Sequence, residues 1–284
     1  GDYAGVTQAF AVTVMDDDRI GPRMTNLQIS GTSAVIFATG FEDLDGWATQ
    51  SASTWTNLSP EGAWVSTGAY ALAFNPRGDV GRHLGFNDAG DAVELPLFTN
   101  AGWIVAWARL SGSGTTTFAL ERFDGLAWTN VGTRTLTNVA YDVASWALDQ
   151  PETNTSYRLR LLAQVTGGRS VYVDDLAVLP WRDWTNQAAQ TLSWSAANDA
   201  ATGGSGVHDY RWVGFGGAAP VATNEGATVA GLATVAVAAV EGWVTGHVVA
   251  VDNDLDRGPL DRTIGPSLPI GARFDFTPPP LVTG

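Results

Sequence analysis

Three aspartates at alternate positions carry the clearest metal-ligand spacing in this sequence. Asp252, Asp254 and Asp256 match the first ligand positions of an EF-hand loop, in which carboxylate oxygens surround a calcium ion. The rest of that motif is missing, because Arg257 stands where the loop needs glycine and Thr263 where it needs a bidentate glutamate. Two interpretations stay open: the three carboxylates clamp calcium between domains, or they are solvated acids of a linker.

The apolar segment 103–110 carries tryptophans of the kind that a sugar-binding surface uses. Tryptophan offers a flat apolar face and a polar N–H, which suits stacking on sugar rings. With the two-residue period of a strand, the smaller aliphatic residues share one face. The opposite face holds Trp103, Val105, Trp107 and Arg109.

Either face of this strand suits the interior of a sandwich. If the aliphatic face lies inside, Trp103, Trp107 and Arg109 form an external glycan platform, which Arg158 and Arg160 on another strand would extend. If the aromatic face lies inside, the tryptophans are core residues and the arginine caps the edge of the sheet. Buried aromatic residues are common in β-sandwiches, which favours the second arrangement.

The residue types that the sequence lacks exclude much covalent catalysis. It contains no cysteine, and its 15 basic residues are all arginine, so thiol nucleophiles and lysine Schiff bases are absent. Three widely separated histidines show no zinc-type spacing: His83, His208 and His247. Carboxylates suited to glycoside hydrolysis are present by type only, at Glu42, Glu94 and Glu121. We therefore predict that the protein is not an enzyme.

The charge of the chain restricts its partners. There are 29 acidic residues against 15 basic ones, for a formal net charge of −14. Nucleic acids and anionic membranes are bound by clustered cations, so this balance predicts neither as a partner. Membrane insertion is not expected, since no apolar run reaches the roughly 18 residues of a spanning helix. The acidity favours solubility and divalent cations.

The elements that position these residues are predicted to be strands. Glycine, proline and small polar residues interrupt the chain every eight to twelve residues, which is typical of an all-β sandwich. The segment Tyr157 to Leu161 alternates with a period of two. Residues 118–123 and 127–131 flank Asp124-Gly125, a dipeptide typical of a β-hairpin turn.

The chain divides into four segments. Residues 35–180 and 181–273 form two blocks, with Pro180 at the boundary, and residues 274–284 form a proline-rich linker. Residues 1–34 are predicted to be the last strand of an upstream repeat with its linker. This follows from an internal echo, in which an apolar strand precedes an acidic run and Gly-Pro twice, near Val14 and near Val251.

The first block resembles the jelly-roll, MAM-like and carbohydrate-binding-like modules of large bacterial surface or secreted proteins. The resemblance lies in the opening Gly40-Phe41-Glu42-Asp43 with Gly46-Trp47, the hairpin from Glu121 to Trp128, and the closing strand from Val171 to Leu176. It implies that the opening and closing strands lie side by side and share a structural calcium ion. The residues that would hold this ion are Glu42 or Asp43 with Asp174 or Asp175, although alternation sends the last two to opposite faces unless the strand bulges.

The second block resembles an immunoglobulin or fibronectin III-like module. The matching stretches are Thr191 to Trp194, Ser205-Gly206-Val207, Tyr210-Arg211-Trp212 and the junction from Phe274 to Pro279. The predicted fold class is therefore all-β, a jelly-roll β-sandwich followed by a smaller immunoglobulin-like β-sandwich. Such a scaffold does not by itself specify an activity.

These features together predict a non-catalytic extracellular module of a secreted or cell-surface bacterial protein with tandem repeats. Its predicted role is adhesion, through binding of a glycan or of another surface protein. One alternative is a spacer or structural subunit that assembles with neighbouring copies of itself into an array or filament. A second alternative is an accessory region of a secreted enzyme.

Overall fold

The fold is built from strands. The computed structural model describes residues 23–41, 47–52, 54–72, 82–163, 170–182, 184–185, 189–198, 207–213, 226–228, 232–236, 242–252 and 268–274. None of these residues lies in a helix, which confirms the predicted all-β class. Across the same ranges, no helix long and apolar enough to span a membrane is found.

Twenty-one strands make up the described part of the chain. The first fourteen are β1 (Arg23–Ile29), β2 (Thr32–Ser33), β3 (Phe37–Thr39), β4 (Thr54–Ser59), β5 (Gly62–Thr67), β6 (Tyr70–Leu72), β7 (His83–Phe86), β8 (Ala92–Glu94), β9 (Thr99–Leu110), β10 (Thr116–Phe123), β11 (Trp128–Leu136), β12 (Asp142–Thr153), β13 (Tyr157–Leu161) and β14 (Val171–Pro180). The remaining strands are β15 (Trp184–Thr185), β16 (Ala189–Asn198), β17 (Val207–Val213), β18 (Gly226–Thr228), β19 (Leu232–Ala236), β20 (Gly242–Asp252) and β21 (Leu268–Phe274).

Two six-strand layers form the first sandwich. Sheet I has the order β12-β9-β14-β7-β6, and β3 also pairs with β14. Sheet II has the order β11-β10-β13-β8-β5-β4. All neighbouring strands within these sheets run antiparallel. The opening and closing strands of the first block, β3 and β14, therefore lie side by side, as the jelly-roll resemblance implied.

Strand alternation places the core between these two sheets. Strand β4 buries Trp55 and Asn57 and exposes the residues between them, and β5 buries Trp64 in the same way. The indole N–H groups find partners inside the core, because Trp55 donates to the Ala69 carbonyl at 2.7 Å and Trp64 to the Ser59 hydroxyl at 3.0 Å. Burial of these large rings with their N–H groups satisfied stabilises the sandwich.

The predicted Asp-Gly hairpin joins β10 and β11. The Asp124 carboxylate accepts the N–H groups of Leu126 and Ala127, each at 2.8 Å, and these two bonds lower the pKa of Asp124. Gly125 has a φ of 100°, a conformation that residues with a side chain rarely adopt. The turn chemistry in the sequence thus determines the loop between these strands.

A second sandwich is formed by two further sheets. Sheet III has the order β19-β16-β1-β2, and sheet IV has the order β15-β21-β20-β17-β18. The buried rings of Trp194 in sheet III and Tyr210 in sheet IV lie 5.1 Å apart, which brings the inner faces of the two sheets together. The apolar echo segment around Val251 lies in β20, whereas its counterpart around Val14 lies outside the described residues.

The described part of segment 1–34 departs from its predicted role as a linker. Strands β1 and β2 belong to sheet III, since β1 pairs with β16 from beyond the first sandwich. The first sandwich is therefore inserted between two strands of the second. A backbone hydrogen bond lies near each end of the inserted sandwich. Ile36 N–H donates to the Val178 carbonyl at 2.7 Å, and Trp181 N–H donates to the Asn100 carbonyl at 2.6 Å. The residues of β1 and β2 were predicted to be a linker because β16, the partner of β1, lies more than 160 residues away in the sequence.

Candidate functional site

The outer face of sheet II carries a row of polar and charged side chains. Antiparallel register aligns one residue from each of the six strands. In order across the sheet, they are Asn130, Glu121, Arg158, Glu94, Val65 and Thr56. Because adjacent strands lie about 4.8 Å apart, side chains at successive positions of this row are direct neighbours. The row therefore alternates acidic and basic groups at its centre.

Glu121 is the most enclosed member of this row, with only 7% of its side chain exposed. One carboxylate oxygen accepts from Arg158 at 2.6 Å, and the other accepts from Arg160 at 3.1 Å. A buried carboxylate is stable only when it is paired, and guanidinium groups supply both charge and directed N–H donors. Both oxygens of Glu121 are thus fixed by two neighbouring arginines on the same strand.

Trp128 lies on the guanidinium group of Arg158, with the guanidinium carbon 4.3 Å from the ring centroid. The indole is half-buried, and the Phe123 ring lies 5.3 Å from it at the base of the hairpin. The pair Trp128 and Phe123 belongs to one register position of β10 and β11, so the hairpin places both rings on the same end of the sheet. The arrangement combines a partly exposed aromatic surface with an ordered cation.

Arg160 lies one step along the strand from this row and is the more exposed arginine, with 36% of its side chain accessible. Its cross-strand neighbours are Ala119 and Ala92, so the side chains beside Arg160 at those two positions are only methyl groups. We call the group formed by Glu121, Phe123, Trp128, Arg158 and Arg160 the sheet II platform. It presents a ring surface and guanidinium N–H donors, which are paired with the enclosed carboxylate of Glu121.

The outer face of sheet I contains Trp103 and Trp107, the tryptophans that the sequence identified as candidate glycan-binding residues. Ile104, Ala106, Ala108 and Leu110 face the core, so Trp103, Trp107 and Arg109 lie on the outer side of the strand. That outer side is itself enclosed, since Trp103 is 8% exposed and Trp107 is 2% exposed. Trp103 packs with Val105, Ala177 and Leu179 in a second, smaller apolar cluster. The structure therefore differs from both predicted arrangements, since neither included an outer face that is buried.

The structure separates the predicted ligand-binding residues into two groups. Arg158 and Arg160 lie on β13 of sheet II, whereas Trp103, Trp107 and Arg109 lie on β9 of sheet I. The two arginines therefore do not extend the tryptophan face. Trp128 was missed by the sequence reasoning, because its strand was recognised only as half of a hairpin. Its position directly after the Asp-Gly turn is the signal that relates it to Glu121.

A row of tyrosines crosses the outer face of sheet I beside these tryptophans. Register aligns Arg109 with Tyr172, Tyr172 with Gly85, and Gly85 with Tyr70. The Arg109 guanidinium carbon lies 4.9 Å from the Tyr172 ring centroid and 5.1 Å from that of Tyr141. Burial raises the pKa of both Tyr70 and Tyr141, and the nearby carboxylates of Asp174 and Asp175 raise that of Tyr141 further. These hydroxyls stay neutral well into the alkaline range.

Asp174 and Asp175, two of the predicted calcium ligands, lie in a bulge of β14. The pairing with β9 shifts register between Asp174 and Ala177, and Asp175 has a φ of 43°. Val173 and Leu176, the residues on either side of this pair, both belong to the core between the two sheets, so the bulge interrupts simple alternation at Asp174 and Asp175. Two adjacent buried carboxylates fit one side of a calcium site, whose oxygens come from several directions.

The other predicted metal ligands lie largely outside the described residues. Glu42 and Asp43 follow directly after Phe41, which lies beyond the end of β3 next to β14. Asp252 ends β20, and Asp254 and Asp256 are outside the described ranges. Within those ranges, no three acidic or histidine residues are grouped closely enough to hold a metal ion. The ligand sets stay predictions.

The histidines are placed apart by the fold. His83 is fully buried on the outer side of sheet I, with its ring 4.1 Å from that of Tyr172. His208 lies on β17 of the second sandwich, where its ring is 3.4 Å from the Asp209 carboxylate. His247 lies on β20 and pairs with Val213. The fold thus places His83 in the first sandwich, and His208 and His247 on two strands of the second.

No protein-family model matches the sequence, and comparison with curated proteins finds no match. Several solved structures are similar to part of the chain. The K2 cleaved adhesin domain of Lys-gingipain has 12% identity and a TM-score of 0.39, over 50% of this chain and 98% of that chain. The CBM22-1 xylan-binding domain from Paenibacillus barcinonensis Xyn10C has 14% identity and a TM-score of 0.35, over 58% of this chain and 98% of that chain. A carbohydrate-binding module CBM36, in complex with calcium and xylotriose, has 21% identity and a TM-score of 0.31, over 40% and 91%. These values describe a similarity of fold alone.

Proposed function

We propose that this chain is a non-catalytic glycan-binding module whose binding surface is the sheet II platform. The observation that carries the proposal is the contact of Trp128 with Arg158, which is in turn held by Glu121 on the outer face of sheet II. An aromatic ring covers the apolar C–H face of a sugar, and planar polar groups beside it bind the hydroxyls at the sugar's edge.

The charges of the outer face suit an uncharged, hydroxyl-rich partner. Arg158 and Arg160 are balanced within the same surface by Glu121 and by Glu94, which is the register neighbour of Arg158. A strongly anionic ligand would meet the −14 net charge of the chain. Donors and acceptors lie side by side here, and both are needed to bind sugar hydroxyls, which themselves donate and accept.

The state of Glu121 supports binding rather than hydrolysis. A glycosidase needs one carboxyl group that donates a proton and a second that acts as a base or nucleophile. Both oxygens of Glu121 accept hydrogen bonds from arginines, at Arg158 and Arg160. Arginine stays protonated, so neither of these neighbours can serve as the second group that a glycosidase needs. Its function is therefore to organise charge on the platform, and we propose that the protein is not an enzyme.

The proposed setting is an extracellular, multi-domain bacterial protein. The first sandwich would act as the glycan-binding, MAM-like or carbohydrate-binding-like module, and the second as an immunoglobulin or fibronectin III-like support. Structural calcium bound by Asp174 and Asp175 with Glu42 or Asp43 belongs to the same proposal, as does an interdomain site at Asp252, Asp254 and Asp256. Adhesion to a surface protein and assembly with neighbouring copies are its wider predictions.

A glycan array followed by calorimetric titration tests the proposal. The solved relatives suggest xylotriose and β-1,4-galactotriose as first ligands, since structures of carbohydrate-binding modules with these sugars are known. We expect binding by the wild-type chain and a loss of at least about tenfold in affinity for Trp128→Ala, because truncation of a central aromatic contact removes much of the binding energy.

The matched control is Leu58→Ala, since Leu58 is 76% exposed on the outer face of the same sheet but on its far edge strand. Its affinity is expected to equal that of the wild type. If neutral glycans fail to bind on the array and in titration, the proposed function is wrong. If they bind equally well to Trp128→Ala, the platform is not the binding surface.

A further inference from the structure

The two acidic residues of the row across sheet II, Glu121 and Glu94, differ in their contact with Arg158. Arg158 has two register neighbours with carboxylates, Glu121 on β10 and Glu94 on β8. Its guanidinium group binds Glu121, at 2.6 Å from both Nε and Nη2, whereas the Glu94 side chain takes no ion pair with it among the described residues. One carboxylate therefore selects the orientation of this arginine.

That orientation determines where the Trp128 ring lies. The guanidinium carbon of Arg158 lies over the Trp128 ring, and attraction between a cation and an aromatic ring requires this position over the ring face. Arginine side chains have many rotamers when nothing fixes them. The chain of contacts runs from Glu121 to Arg158 and from Arg158 to Trp128, and the enclosed carboxylate, 7% exposed, is its rigid end.

The same carboxylate also orients Arg160. The second oxygen of Glu121 accepts from Nη1 of Arg160, the more exposed of the two arginines, at 3.1 Å. Glu121 thus contacts both arginines of the platform directly and is linked to Trp128 through Arg158. Side chains that are already ordered lose less conformational entropy when a partner binds.

We infer that Glu121 is a positioning residue that pre-organises Trp128, Arg158 and Arg160 for a glycan without contacting the glycan itself. The inference rests on the proposed glycan-binding function for its effect on affinity. Its structural half concerns the free protein and is measured without any ligand. The expected loss of affinity on removing this carboxylate is about three- to tenfold, the result of ordering two or three side chains only on binding.

The test uses the full chain with Glu121→Gln, which keeps the shape of the side chain and removes its charge. Glu94→Gln is the matched control, because it removes the charge on the other side of Arg158. Proton exchange of the Arg158 Nε–H and the indole N–H signal of Trp128 are followed by nitrogen-15 NMR, with the tryptophan signal assigned from Trp128→Phe. We expect Arg158 exchange at least about tenfold faster in Glu121→Gln, since a charge-assisted bond is lost. The Trp128 signal should broaden or shift, and Glu94→Gln should match the wild type.

Arg158→Lys is the second variant, for the case in which Glu121→Gln does not fold. Lysine keeps the charge but lacks the planar group on which Trp128 rests, so the same change in the Trp128 signal is expected. Unchanged NMR signals in the folded variants, or equal effects of Glu94→Gln and Glu121→Gln, overturn the inference.

Affinity is then measured by titration with xylotriose and with the glycan that gives the strongest array signal. Equal affinity of Glu121→Gln and wild type overturns the positioning role while the proposed function stands. Absence of glycan binding by the wild type overturns the proposed function, and the NMR comparison still decides whether Glu121 orders the three side chains.

Discussion

The outer faces of sheet I and sheet II carry similar side chains but differ in burial. Each has a tryptophan and an arginine that lies against aromatic rings, with acidic groups nearby. On sheet I the face is closed, with Trp107 at 2% exposure, whereas on sheet II Trp128 is half-buried and Arg160 is 36% exposed. The same residue types therefore serve as a second core in one place and as a candidate binding surface in the other.

The reason for the difference lies in the side chains that make up each face. Strand β14 is central in sheet I and pairs with β9, β7 and β3, and its outer residues Ala177 and Leu179 join Trp103 in an apolar cluster. A sheet that is covered on both sides has strands that are apolar on both faces, as β9 and β14 are. The outer row of sheet II is instead charged at its centre. Solvation of those charges keeps such a face open.

The largest effect that follows from this comparison concerns Trp107→Ala. Removal of a fully buried tryptophan leaves a cavity, so we expect the free energy of unfolding to fall by about 3–5 kcal/mol. Trp128→Ala, on the half-buried ring of sheet II, should lower it by less than about 1 kcal/mol. Urea denaturation of both variants measures the difference. Equal losses would mean that the two faces are not distinct in burial.

Of the two outer faces of the first sandwich, calcium should act on that of sheet I and not on that of sheet II. If Asp174 and Asp175 are ligands, a concentration of calcium one hundred times its Kd adds about 2.7 kcal/mol of stability to the folded state. The melting temperature in calcium should then exceed that in EDTA, and Asp174→Asn should reduce the difference. Glu94→Gln, on sheet II, is the control that should keep it. Identical melting curves for the wild type with and without calcium would contradict the site.

Gly85→Ala sharpens the comparison through backbone contact. A methyl group at Gly85 would lie 2.1 Å from the Tyr70 ring, which crosses that position on sheet I. The ring has to move, so we expect a loss of about 1–3 kcal/mol in unfolding free energy. The sheet II counterpart is Gly125→Ala, where nothing lies within 4 Å and only the φ of 100° opposes the side chain. That variant should lose about 1 kcal/mol. A larger loss at Gly125 than at Gly85 would contradict the tight packing of Tyr70.

The smallest expected effect is a pH dependence at Tyr141. Its pKa is raised in the folded protein, chiefly by burial and then by the charge of Asp174. A group with a raised folded pKa stabilises the fold below its unfolded pKa, which is about 10 for tyrosine, and this contribution is lost as the pH rises above that value. Unfolding free energy measured at pH 8 and pH 10.5 should therefore fall less in Tyr141→Phe than in the wild type. An equal fall in both proteins would exclude Tyr141 as the source.

Local features of the sequence account for the strands and their turns. Alternation over Tyr157 to Leu161 and the Asp124-Gly125 turn are properties of neighbouring residues, and both elements form as predicted. The pairing of the opening and closing strands followed from resemblance. The two-sided apolar character of residues 103–110 was also visible in the sequence, although it left open which face was inside.

Long-range pairing decided what these local features could not. Which strands share a sheet depends on residues far apart in the chain, as with β1, which joins β16 across the entire first sandwich. Glu121, Trp128 and Arg158 meet because two strand registers and a bulge near Leu120 bring them together, and a shift of one residue would send each side chain to the other face. The bulge in β14 likewise places Asp174 and Asp175 together between the core residues Val173 and Leu176. Sequence spacing specifies the period of a strand, but only the pairing between strands specifies which side chains share a surface.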